Sequence, residues 1–126
     1  MSSEKNVLIV TDDNESIDQI ARSIQNALAS FKVKVCRAEK FVGTDLLPVE
    51  TFFLGCDKPA PESFAYLEDM LARINLSSRK CGIFSTNAES LEYLRGLVKD
   101  CEVSLGEPFL FSDDKDNSVK NWLNWV

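Results

Sequence analysis

The chain has 126 residues, a formal charge of −6, no histidine and 44% apolar residues. That suits one domain with its own core, and no apolar run reaches the roughly 18 residues of a membrane span. The acidic balance argues against nucleic acid, which takes a basic face, and the missing histidine removes Ser–His and Cys–His catalytic pairs.

The polar start MSSEKN leads straight into a strand, which reads as no signal peptide. Residues 7–10, VLIV, predict a buried strand, and Ile17, Ile20, Ala21, Ile24, Ala27 and Leu28 predict one face of a helix. Residues 31–36 form a second strand. RAEKFVGTDLLPVE is an irregular link with room for a helical turn. Residues 51–55 form a third strand, apolar on both faces as a central parallel strand should be. The prolines of DKPAP mark a loop.

A helix is expected over 61–74, with Pro61 in its first turn and Phe64, Leu67, Met70, Leu71 and Ile74 on one face. Residues 80–85 form a fourth strand. A helix over 88–99 turns Leu91, Leu94, Leu97 and Val98 inward. Residues 102–111 form a fifth strand, broken at Gly106-Glu107-Pro108 because proline cannot donate to a ladder. SDDKDN then caps a last helix carrying Val119, Trp122, Leu123 and Val126. Trp122 and Trp125 are expected to pack. Cys36, Cys56, Cys81 and Cys101 form no CxxC motif, and zinc would need all four. They read as buried free thiols of a reduced cytoplasm.

Alternating β/α units predict one domain over 1–126. Its fold class is a three-layer α/β sandwich on a five-stranded parallel sheet in the order 2-1-3-4-5. The switch point lies between strands one and three. The loops 11–16, 55–61 and 85–89 therefore meet in one crevice.

Three stretches carry a family resemblance. FFLGCDKPAPESF resembles the third strand and second cofactor loop of flavodoxins. SRKCGIFSTNAESLEYLRGLV resembles their fourth strand, third loop and next helix. EVSLGEPFLF, an acidic link and VKNWLNWV resemble their last strand and helix. The likeness implies an FMN electron carrier in which the flavin and not a side chain does the chemistry. It implies cofactor contacts from Thr11, Asp12, Asp13, Asn14, Glu15 and Ser16 in the first loop, from Cys56, Asp57 and Pro59 in the second, and from Ser85, Thr86, Asn87 and Leu91 in the third.

In flavodoxins the first loop wraps the FMN phosphate with hydroxyls and backbone amides at a helix N-terminus. Here Thr11, Asn14 and Ser16 can donate, but Asp12, Asp13 and Glu15 would repel the phosphate. The loop glycine is missing. Pro59 stands where an aromatic ring partner is common, and Leu91 where a stacking Tyr is common; Tyr93 matches a later, structural aromatic. FMN binding is therefore expected to be weak or absent.

VLIVTDDNESI is also similar to the start of a response-regulator receiver domain. That likeness implies Mg²⁺ on Asp12 and Asp13. It places Gly55 at the phosphoacceptor, turns Asp57 elsewhere, and leaves Glu107 beside Pro108 where a lysine belongs. With acceptor and lysine missing, neither phosphotransfer nor a Mg²⁺ site is expected. Asp12 and Asp13 then read as a helix cap and a solvated first turn.

The expected function is a flavodoxin-like electron carrier with an eroded FMN site. The alternative is a cofactor-free binding or regulatory module on the same scaffold. The acidic surface suits a basic redox partner protein. No enzyme activity is expected, with Cys56 the one candidate thiol in the crevice.

Overall fold

The computed structural model describes residues 6–12, 14–40, 49–73, 79–99, 103–106, 108–110 and 122–123. Strand β1 (Asn6–Thr11) is followed by helix α1 (Glu15–Ala27) and strand β2 (Lys32–Arg37). A short 3₁₀ turn, Ala38–Lys40, is the helical turn expected in the link. Strand β3 (Thr51–Gly55) is buried along its whole length. It leads through a 3₁₀ turn, Glu62–Phe64, into helix α2 (Ala65–Leu71). Strand β4 (Lys80–Ser85), helix α3 (Ala88–Val98) and the short strands β5 (Ser104–Leu105) and β6 (Phe109–Leu110) complete the described elements.

The strands order as β2-β1-β3-β4-β5, every pairing parallel, with β6 also beside β4. The expected sheet order stands. The fifth lane is split as the sequence implied. Lys80 and Cys81 face Ser104 and Leu105, while Phe84 and Ser85 face Phe109 and Leu110. Gly106 still donates to the Cys81 carbonyl at 2.9 Å, and Pro108 then has no hydrogen to offer.

The sheet divides the core in two. On one face α1 buries Ile17, Ile20, Ala21 and Ile24 against Val7, Ile9, Phe53 and Phe84. Trp122 packs there as expected, with its ring 4.9 Å from Phe109 and 5.5 Å from Phe53. The rest of the expected last helix, with Val119, Trp125 and Val126, lies outside the described residues, as do Ile74 and Cys101. On the other face α2 and α3 bury Phe64, Leu67, Leu71, Leu91, Leu94 and Val98 against Leu8, Val10, Phe52, Leu54 and Ile83. Central parallel strands read as unbroken apolar runs because helices cover both their faces.

The helix expected over 61–74 begins differently. Pro61 is the N-cap with no side-chain hydrogen bond, and its carbonyl accepts from Phe64 at 2.9 Å. That three-residue spacing closes a 3₁₀ turn before the α-helix starts. Cys36, Cys56 and Cys81 are free thiols. No described helix is long and apolar enough to cross a membrane.

Candidate functional site

The sheet order brings the ends of β1, β3 and β4 side by side, and the loops after them form one polar crevice. Thr11 and Asp12 leave β1 buried, at 1% and 5% exposure. The Asp12 amide donates to the Gly55 carbonyl at 3.2 Å, which extends the sheet by one bond. Asn14, not Asp12, is the α1 N-cap. Its Oδ1 accepts from Ser16 N at 2.9 Å and Ile17 N at 3.2 Å. The cap expected from Asp12 is thereby corrected: an N-cap acts on amides two and three residues onward, and the helix starts at Glu15. Asp13 lies outside the described residues. Glu15 and Ser16 are exposed in the first turn.

Asp57 is the hub of the crevice. Its amide donates to Asp12 Oδ2 at 2.9 Å. Its Oδ2 accepts from Asn14 Nδ2 at 3.2 Å, and its Oδ1 accepts from the Thr86 hydroxyl. Its carbonyl accepts from Asn87 Nδ2 at 2.7 Å. One residue thus joins the first, second and third loops. Asp57 was expected to point elsewhere, and instead its side chain lies in the crevice between Asn14 and Thr86. The backbone there is constrained: Ala60 has φ of 49°, in the left-handed region that costs a residue with a Cβ about 1–2 kcal/mol.

The third loop is held just as firmly. Ser85 donates to the Cys56 carbonyl at 2.7 Å and accepts from the Asn87 amide at 3.2 Å. Asn87 caps α3, accepting from Ser90 N at 2.9 Å. On the outer side of the first loop, Arg37 pairs with Asp18 at 3.0 Å and reaches the Asp12 carbonyl at 3.4 Å.

Asp12 carries the strain of the site. Its Oδ1 is buried and has no hydrogen-bond partner. Burial raises its carboxyl above the ordinary value; the Asp57 amide pulls it down, and the charges of Asp57 and Asp18 push it up. Cys56 is fully buried, and its thiol is pushed up to about 12 by burial and then by the Asp12 charge. Such a thiol is inert as a nucleophile at neutral pH. Outside this network a cleft of about 510 Å³ opens between Asp12, Asn14, Asp57, Lys58, Pro61, Glu62 and Ser63.

Solved structures give the comparison. A short-chain flavodoxin associated with a bacterial microcompartment matches at TM-score 0.78 and 13% identity, over 94% of this chain and 96% of that one. Flavodoxin 2 from Bacillus cereus matches at 0.77 and 18%, over 93% and 94%. Fusobacterium nucleatum flavodoxin bound to flavin mononucleotide matches at 0.73 and 11%, over 95% of each chain. The fold is flavodoxin-like. No family model matches the sequence, and no curated protein does.

FMN can therefore be tested against this flavodoxin-like crevice. Four of the described donors near the first loop are already committed. Ser16 N and Ile17 N serve Asn14 Oδ1, Asn14 Nδ2 serves Asp57, and Thr11 Oγ1 donates to Asp18 at 3.5 Å. In their place stands a buried carboxylate with one oxygen unpaired. A unit charge pair about 4 Å apart near a surface is worth roughly 4 kcal/mol, repulsive here. Pro59 is exposed, and Leu91 is 8% exposed within the α2–α3 core. Leu91 thus faces inward and offers the flavin no ring partner. Tyr93 is structural, as expected: it ties α3 to α2 by donating to Glu68 Oε2 at 2.5 Å.

Proposed function

We propose that this chain is a flavodoxin-like binding module that works without FMN as a resident group. The observation that carries this reading is the Asp57 hub. A second-loop residue that hydrogen-bonds to the first and third loops occupies the polarity that the cofactor would otherwise satisfy. Cys56, the candidate thiol of the same loops, is buried and protonated, which supports a role in binding over one in catalysis. The crevice carries Asp12, Asp57 and Glu62 against the single lysine Lys58, on a chain of net charge −6. That field favours a basic partner protein, by faster encounter and by register.

An FMN electron carrier is the second reading, favoured by the likeness to a flavodoxin described as bound to flavin mononucleotide. It would require Asp57 to release Asn14 and Thr86. A visible spectrum of freshly purified protein and a fluorescence titration with FMN and riboflavin separate the two. The module should purify colourless, and neither flavin should saturate it up to about 100 μM, a limit of roughly 5–6 kcal/mol of binding. Yellow protein with stoichiometric FMN would overturn the reading.

A further inference from the structure

A second cavity lies between α1 and the edge strand β2, and the binding reading above does not use it. Its walls follow from two periodicities. Asp18, Arg22 and Gln25, four and three residues apart, share one face of α1. Val35 and Arg37, two residues apart, share one face of β2. Lys40, from the 3₁₀ turn after β2, lines it too. The cavity has a volume of about 480 Å³, within the range of small-molecule sites.

The charge of this cavity opposes that of the chain. Although the net charge is −6, residues 32–40, KVKVCRAEK, carry four of the fourteen basic residues. Arg22, Arg37 and Lys40 line the cavity, and Asp18 is the one acid among the described residues that do. Asp18 stands four residues before Arg22, the spacing at which an acid and a base pair along a helix. It pairs elsewhere: one oxygen accepts from the Thr11 hydroxyl at 3.5 Å and the other from Arg37 at 3.0 Å. Arg22 and Lys40 are exposed, and neither side chain has a hydrogen bond or ion pair with a described residue. Cations gathered in one concavity repel one another until an anion joins them.

We infer that this cavity binds a small phosphomonoester, with its phosphate on Arg22 and Lys40 beside Arg37. Asp18 and the Asp12 carbonyl, at 3.4 Å, hold the Arg37 guanidinium in place before any ligand arrives. Guanidinium groups match phosphate oxygens in pairs, and an ammonium adds a point charge. A phosphate monoester, near a dianion at neutral pH, answers three cations better than a single carboxylate does. Val35, 38% exposed, gives a carbon body an apolar rest, and the Gln25 amide can meet its hydroxyls. A polymeric phosphate would meet the repulsion of the acidic chain around this one cavity, whereas a small ligand meets the cavity alone. The crevice and this cavity are lined by different residues, so phosphate binding here is independent of whether the crevice takes FMN.

The test titrates the full chain with ribose 5-phosphate, phenyl phosphate, inorganic phosphate and ribose, at an ionic strength held constant with NaCl. Amide chemical shifts locate the site. Both monoesters should bind with dissociation constants on the order of 1 mM, inorganic phosphate more weakly and ribose not at all. The shifts should centre on residues 18–25 and 35–40. At ten times its dissociation constant a monoester should raise the melting temperature by about 5 °C. Arg22→Gln and Lys40→Gln, both at exposed positions, should each weaken binding about fivefold, and the double variant should abolish it. Lys99→Gln, at the end of α3 on the opposite face of the sheet, should leave it unchanged. Undiminished binding in the double variant, or no response to either monoester, would overturn the site. So would shifts confined to residues 12–14 and 57–63, which place the phosphate in the crevice. Inorganic phosphate binding as tightly as both monoesters would make free phosphate the ligand and overturn the phosphomonoester.

Discussion

The main-chain amide of Asp57 donates to a carboxylate, Asp12, that is 5% exposed and keeps its other oxygen unpaired. This joins the ends of β1 and β3 by a bond that depends on a charge state. The folded chain holds the Asp12 carboxyl above its ordinary value, chiefly by burial. A group raised in this way stabilises the fold fully below its unfolded value and loses that contribution as pH climbs through the folded value.

Asp12→Asn should therefore stabilise the protein at pH 7.5 and do little near pH 3.5. Asn keeps an oxygen for the Asp57 amide and removes the buried charge. Paired thermal melts across that range test it. A variant less stable than wild type at pH 7.5 would mean that the charge itself is stabilising.

Asp57→Ala removes the bonds from Asn14 and Thr86 and leaves the backbone bond to Asp12. The loss should be about 1–3 kcal/mol, because hydrogen bonds to a charged group exceed neutral ones. Amide hydrogen exchange should speed up at residues 14–17 and 86–90 while β3 and β4 stay protected. Unchanged exchange in both loops would show that the hub does not hold them.

Gly55→Ala should cost about 1–3 kcal/mol. A Cβ there would meet the Phe84 ring at 2.3 Å, on strands buried at both faces, so the ring must move within a filled core. Chemical denaturation checks this. Adding Phe84→Leu should recover part of the loss by clearing the ring.

Two backbone substitutions should move in opposite chemical directions and both stabilise. Gly96→Ala lies on the exposed side of α3 with nothing within 4 Å of the new Cβ, so helix propensity should add about 0.5–1 kcal/mol. Ala60→Gly relieves a left-handed residue at φ of 49° and should add up to about 1 kcal/mol. Their melting temperatures should rise by a few degrees, and a fall for Ala60→Gly would show that its Cβ contacts outweigh the strain.

The sheet was legible because its signals are local. The apolar runs of β3 and β4 match strands buried on both faces, and Pro108 marks the split fifth lane by lacking a hydrogen. The crevice was less so. Choosing Asn14 over Asp12 as the cap depends on where the helix starts, to within one or two residues, which periodicity does not resolve. The direction of Asp57 depends on long-range partners, Asn14 and Thr86, that local periodicity does not reveal. Leu91 was legible: it precedes Leu94 and Val98 by three and seven residues, the spacing that turns it into the buried face of α3, and only the motif alignment set it beside a flavin.

The two margins of the sheet bear on how this chain behaves in company. An incoming strand from another molecule needs a flat, continuous row of free amides and carbonyls. Along the margin formed by β5 and β6 it meets two residues, the break at Pro108, and two more. Along β2 it must pass the exposed Lys32 and Lys34, whose charges repel a second copy of the same margin. Both borders are thus poor templates for strand addition, and the chain should resist end-to-end polymerisation even when heat loosens the helices that cover the sheet.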